Sequence, residues 1–330
     1  MKRALSFAVW VLTFVLWSVN AWAASADYPT KPITIIVPFT PGGTVDFTMR
    51  TYASTAEKLL KQPVVVVNKP GATGMIGSLA GAQAAPDGYT LTLGSSAMIS
   101  TLEWEMIEGR KPPFSRHDFA IIGSLTMMTP MVVVPHDSPW KTLSDLLRDC
   151  KAKPEYYSFG SGGLYGGSHL PAEMLMMAAG ITARHMPYKG AAISLTALAG
   201  KHDDFGTHYT ASTIPLVRGK KLRVLAILSD RRLRSLPDVP TAKELGFDVS
   251  CAQWSGVLVP KDTPASIVEK LRDITLKVTK EKTFIDLIEA TGDEVYFMNH
   301  EEVAKYWDKE SVMFATLFGK LIEKEKKPSK

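Results

Sequence analysis

Two glycine-rich segments hold the residue types best suited to chemistry. The first is Pro38-Phe39-Thr40-Pro41-Gly42-Gly43-Thr44-Val45-Asp46, and the second is Gly160-Ser161-Gly162-Gly163-Leu164-Tyr165-Gly166-Gly167-Ser168-His169. Each follows a strand-like apolar run and leads towards a helical pattern. A helix N-terminus presents N–H groups with no intrahelical partner and a partial positive charge, which suits a carboxylate or a phosphate. Glycine lets the backbone approach such a ligand without a Cβ in the way. Neither segment contains Arg or Lys. An anion held there is therefore met by N–H dipoles, hydroxyls and water rather than by an ion pair.

Other constellations are weaker. Ser161 or Ser168 with His169 offers a nucleophile and a base, the basis of an alternative reading as an exported serine hydrolase. No third member that would orient the base is identifiable, and no Gly-x-Ser-x-Gly elbow occurs. Asp46 has two readings, an early-turn acid complementing the helix dipole or an acid that orients a bridging water or a ligand amine. Gly71, Gly74 and Gly77 miss the dinucleotide spacing, and close helix–sheet packing explains them. His202-Asp203-Asp204 matches no established metal spacing and reads as an exposed turn. His185 and Tyr188 read as structural and Lys189 as solvated. No metal and no cofactor is expected.

The elements that must position the two loops alternate strand and helix. Ile33 to Val37, Val64 to Val67 and Tyr89 to Leu93 are short runs suited to buried strands. Between the first two, Val45, Met49, Tyr52, Ala56 and Leu59 repeat at helical spacing. A second set begins near Met131-Val132-Val133-Val134, with strands also at Tyr156 to Phe159 and Leu222 to Leu228. Thr142 with Asp145 caps a helix carrying Leu143, Leu146 and Leu147, and Asn299 with Glu302 caps the last helix. Thr263-Pro264 starts a helix with Ile267, Leu271, Ile274 and Val278 on one face. The rhythm predicts an α/β fold of βαβ units with mainly parallel sheets flanked by helices.

Composition is that of an ordinary globular chain: 330 residues, 45% hydrophobic and 22% charged, long enough for two domains. Its 38 basic and 33 acidic residues are not gathered into a basic patch with interleaved aromatics, which speaks against nucleic acid as a partner. The basic run from Lys324 to Lys330 reads as a solvated tail. Lys2 and Arg3 precede an apolar stretch from Ala4 to Val19 and the small residues Ala21 and Ala23. This predicts a cleaved signal peptide over 1–23, with Ala26 the alternative cleavage point, and a periplasmic protein. Export removes the supply of nucleotide cofactors. Cys150 and Cys251 are expected as two free, partly buried thiols rather than a bridge.

A series of short motifs through most of the exported chain resembles the Bug/TctC family, the periplasmic solute-binding proteins of tripartite tricarboxylate transporters. They include Tyr28-Pro29, the first loop, Asn68-Lys69-Pro70-Gly71, Pro86-Asp87-Gly88-Tyr89, Ser168-His169-Leu170 with Glu173, Pro187-Tyr188-Lys189-Gly190, Leu236 to Thr241, and Trp254-Ser255-Gly256. The resemblance implies a two-lobed Venus-flytrap fold with a ligand cleft between the lobes. Lobe one would be 24–125 plus 251–330 and lobe two 126–250. It implies a non-catalytic monomer that captures a small carboxylate (a di- or tricarboxylate, aromatic acid or acidic amino acid) and delivers it to integral-membrane permease subunits. A role as solute sensor for a two-component system is the alternative within the same fold. Carried over by position, Phe39, Thr40, Gly43 and Asp46 would form one carboxylate clamp, and Ser161, Gly163, Ser168 and His169 the other. Tyr165, His208 and Tyr209 fall where the chain departs from the family pattern and are candidates for the ligand's distal end.

Overall fold

The computed structural model describes residues 28–326. The expected signal peptide and the side chains of the basic tail lie outside the described residues. In chain order the elements are β1 (Ile33–Val37), α1 (Thr44–Leu60), β2 (Val64–Asn68), α2 (Met75–Ala82), β3 (Thr90–Ser95), α3 (Ser96–Ile107), β4 (Phe119–Met128) and β5 (Pro130–Pro135). There follow α4 (Leu143–Ala152), β6 (Ser158–Ser161), α5 (Leu170–Ala179), β7 (Arg184–Pro187), α6 (Ala191–Ala199), β8 (Phe205–Tyr209), α7 (Thr210–Arg218) and β9 (Leu222–Ile227). The last are β10 (Gln253–Pro260), α8 (Ala265–Val278), α9 (Lys282–Ala290), β11 (Glu294–Val295) and α10 (His300–Lys326). One sheet has the order β11-β4-β10-β3-β1-β2 and the other β7-β6-β8-β5-β9.

The chain divides into two compact units. One holds 28–93, Pro113–Gly123 and Val257–Val278; the other holds Gly94–Pro112, Ser124–Gly256 and 279–326. In the first, β1 pairs in parallel with both β2 and β3. Ile33, Ile35 and Val37 are fully buried, and α1 lies against β2 and α8. The buried face of α1 is broader than its apolar residues, because Thr48, Thr51 and Thr55 are buried as well. Their hydroxyls donate to the carbonyls four residues earlier, which removes the cost of burying them.

In the second unit the five-stranded sheet is covered on both faces. Val132 and Val134 of β5 point to one side, with Phe159, Phe205 and the helix residues Leu146, Leu175 and Met176. Met131 and Val133 point to the other, with Leu195 and Leu198 of α6. This double burial explains a strand that reads as an unbroken apolar run. Strand β6 is parallel to β7 and β8, but β5 is antiparallel to both β8 and β9. Only Thr129 separates it from the end of β4, which belongs to the other sheet. In the same unit α10 buries Glu310, which accepts bonds from Ser96 Oγ at 2.7 Å and Trp254 Nε1 at 3.0 Å. Burial pushes this carboxyl up to about 8, against the pull of those two donors. Both capping boxes read from the sequence are formed, at Thr142–Asp145 and Asn299–Glu302.

Candidate functional site

The first loop is set from behind. Asp46 is 3% exposed, and its carboxylate accepts the Gly42 N–H at 2.9 Å, Arg50 Nε at 3.0 Å and Asn68 Nδ2 at 2.8 Å. Asn68 also donates to the Phe39 carbonyl at 3.0 Å and accepts from Arg50 at 2.8 Å. Burial would raise the Asp46 carboxyl, but the Arg50, Gly42 and Asn68 bonds and the guanidinium charge outweigh it and hold it below the usual range. Asp46 is thus a bracket that fixes the turn, which its position in sequence left open. Arg50 and Asn68 complete the bracket; Asn68 opens one of the motifs read from the sequence, whereas Arg50 carries no local motif that would announce it.

In front of the bracket the same loop is open. Gly42 adopts φ +86°, a conformation that favours glycine, whereas Gly43 at φ −80° does not need glycine for its backbone. A Cβ on Gly43 would meet nothing within 4 Å. Gly43 is the N-cap of the 17-residue α1 and has no side-chain capping bond. Thr40 is exposed and Phe39 half-buried beside it. Gly77 closes the back: its Cβ would stand 2.7 Å from Pro38 Cα and 2.6 Å from the Lys69 carbonyl oxygen. Close packing of α2 on the loop is therefore what this glycine serves, and Gly74 similarly faces the Phe39 ring at 3.2 Å.

The second loop bonds mainly to itself. Ser161 Oγ lies 2.6 Å from His185 Nε2, 3.0 Å from the Gly163 carbonyl and 3.2 Å from the Gly163 N–H. Ser168 Oγ accepts the Gly162 N–H at 2.8 Å, and His169 Nδ1 accepts the Tyr165 N–H at 3.1 Å. That bond places the His169 ring proton on Nε2, which faces Glu173 at 3.7 Å. Below the loop, Phe159 stacks with His185 and Phe205, its partners in strand register, and with His169. Strand β8 then ties down the far half. Thr207 Oγ1 donates to the Ser168 carbonyl at 2.6 Å and Tyr209 OH to the Gly167 carbonyl at 2.8 Å. The structure thus brings Ser161, Gly163, Ser168, His169 and Tyr209 together in one hydrogen-bonded assembly.

Comparison with known proteins places this arrangement. The family model for the tripartite tricarboxylate transporter family receptor, TctC, matches residues 48–324. The chain belongs to the TctC receptor family. It is 30% identical to a Polaromonas TctC solute-binding protein, with a TM-score of 0.77, covering 89% of this chain and 99% of that one. The periplasmic binding protein BugD is 29% identical at a TM-score of 0.75, covering 89% and 98%. MatC from Rhodopseudomonas palustris, solved with bound malate, shares the fold at 24% identity and a TM-score of 0.73, covering 88% and 99%. The expected family and periplasmic-binding-protein fold are borne out. The protein is a solute-binding receptor and not an enzyme.

The remaining candidates of this TctC-family receptor fall into place around the second loop. Ser161 is fully buried and meets His185, and Ser168 Oγ accepts the Gly162 N–H, so the bonds of both serines go to groups other than the nucleophile–base pairing of the hydrolase reading. Burial lowers the His185 imidazole below its ordinary range. Tyr165, at φ +56°, packs its ring 4.4 Å from Trp104 and 5.9 Å from Phe318. His208 is 1% exposed and alternates to the opposite sheet face from Thr207 and Tyr209. Burial pushes its imidazole down to about 4. The turn at His202 contains one surprise, a buried Asp203, which lies against Gly160 and Ser194 and whose carboxyl burial raises. Among the described residues no group of three His, Cys, Asp or Glu side chains is placed to hold a metal, and no helix is long and apolar enough to cross a membrane. Both cysteines are free and more deeply buried than expected. Lys189 is exposed, as expected.

Proposed function

We propose that this receptor captures a small dicarboxylate in the periplasm as a monomer, after removal of residues 1–23, and delivers it to the permease subunits of a tripartite transporter. One ligand carboxylate sits at the start of α1, where Phe39, Thr40 and Gly43 face it and Asp46 holds the turn from behind. The observation that carries this reading is Gly43. Its lack of a side chain is required neither by its own φ nor by any neighbour, and it caps a long helix with no side-chain acceptor of its own. Backbone N–H groups at such a terminus favour an anion through charge-assisted bonds of roughly 1.5–3 kcal/mol each. The malate in MatC, which shares the fold, supports the dicarboxylate class.

The second loop is preorganised by its own bonds. Its hydroxyls and ring nitrogens hold the loop, so Ser161, Ser168 and His169 act by fixing the backbone around Gly163 rather than by touching the ligand. Titration calorimetry of the full chain with malate and longer dicarboxylates tests the assignment. The expected result is binding of one unchanged ligand per chain, with a melting temperature that rises with ligand concentration. Ligand turnover, or the absence of binding by every dicarboxylate tried, refutes it.

A further inference from the structure

The second unit contains a groove that the carboxylate reading does not use. Helices α5 and α10 leave a cavity of about 480 Å³ between them, within the size range of small-molecule sites. On α10 the lining positions are Lys309, Val312, Met313, Thr316, Leu317 and Lys320. They recur every three or four residues and form one helical face. The face has an order to it: a lysine at each end and an apolar stripe between. Lys320 follows Lys309 by eleven positions, roughly 16 Å along the helix axis at 1.5 Å per residue. Met174 and Met177 of α5 supply the opposite wall, and thioether side chains adapt readily to the shape of an apolar guest. Val312 is 69% exposed, although it sits in the middle of the stripe. Among the described residues neither Lys309 nor Lys320 forms an ion pair. Asp248, also on the rim, is paired with Lys243 at 3.3 Å.

We propose that this groove is a second ligand site, for a carboxylate carrying an unbranched apolar chain, that is, an anion of the medium-chain fatty-acid class. The chain lies along Val312 and Met313 against the two methionines, and the carboxylate meets a lysine at the groove's end. Charge complementarity selects this occupant. A neutral apolar guest leaves both lysines unused, and a short dicarboxylate leaves the stripe uncovered.

Titration of the full chain with octanoate, decanoate and 1-decanol, with malate as competitor, tests the proposal. Decanoate should bind one molecule per chain and should not be displaced by malate. It should bind roughly fifteenfold more tightly than octanoate, because each of the two extra buried methylenes contributes about fourfold. Val312→Asp, at an exposed position that tolerates the change, should weaken decanoate by about tenfold or more while leaving the melting temperature in place. Lys309→Glu with Lys320→Glu should weaken decanoate several-fold and leave 1-decanol unchanged. The proposal is overturned if decanoate does not bind, or if its affinity ignores chain length and Val312→Asp. It is also overturned if malate or Gly43→Val displaces decanoate, which would place it at the first loop. A dimer that Val312→Asp dissociates would show instead that a second copy of the chain covers the groove.

Discussion

At the first loop, Gly43 has open space where its side chain would be; at the second, Gly162 and Gly167 have none. A Cβ on Gly162 would stand 2.6 Å from the Ala191 nitrogen, and one on Gly167 would stand 3.0 Å from Tyr209 OH. The bonding follows the same division. Asp46 holds the first turn from behind and leaves the start of α1 without a side-chain cap, whereas Ser161, Ser168 and His169 satisfy the second loop's own backbone. Two segments of similar composition thus do different work. One leaves the helix start without a side-chain acceptor, and the other uses its polar groups to become rigid. Glycine content alone does not mark a binding loop; what matters is whether the chain itself accounts for the glycine.

The sharpest way to break this contrast is to add side chains to both loops. Gly43→Val should lower dicarboxylate affinity by about a hundredfold, near 2.7 kcal/mol, with a stability loss of at most about 1 kcal/mol from the poorer N-cap, because a Cβ there meets nothing within 4 Å. Gly162→Ala should do the reverse. Overpacking against α6 should cost about 1–3 kcal/mol of stability in denaturant unfolding. If Gly43→Val destabilises the fold as much as Gly162→Ala does, the distinction between the loops fails.

The brackets give smaller effects. Asp46→Asn should remove about 1–2 kcal/mol at neutral pH, a figure reduced because Arg50 is half exposed. The folded carboxyl titrates below its unfolded value near 4, so its contribution is complete above that pH and is lost as pH falls through the folded value. Unfolding curves of the native chain and the variant should therefore converge in strong acid. Ser168→Ala should cost about 1 kcal/mol by freeing the half-buried Gly162 N–H, and should affect ligand affinity less than Thr40→Ala does. Smallest of all is salt. Dicarboxylate affinity should change by less than about threefold between low and physiological ionic strength, since fixed dipoles beside a desolvated anion are poorly screened. A steep loss of affinity would show a cationic anchor at work.

The parts of this molecule that local chemistry controls were readable in the sequence. β-branched runs marked β1, β2 and β5, and the Thr142 and Asn299 boxes marked two helix starts. The glycine loops and the motifs around them identified the family. The unread parts depend on partners far along the chain. Ser161 meets His185, 24 positions away, only because β6 and β7 pair in a particular register. His208 and Tyr209 cannot share a sheet face, which becomes apparent only once β8 is known to run through both. Asp203 sits in a turn that looks exposed, yet it fills the space left by the missing side chain of Gly160. The antiparallel pairing of β5 with β8 and β9 likewise joins strands far apart in the chain, and no composition signal records it.

The contact between Tyr165 and Trp104 gives the protein an optical property of its own. The indole ring is half-buried, 4.4 Å from the one aromatic side chain of the second loop and 5.2 Å from Phe318 on its other contact. Trp140, Trp254 and Trp307 are buried elsewhere and would contribute a steady background. Emission from Trp104 depends on how Tyr165 lies against it, so a solute that shifts the loop alters the fluorescence with no dye attached. A loop too rigid to move leaves the emission constant. Ultraviolet excitation of the unlabelled protein during a ligand titration therefore measures how stiff the second loop is.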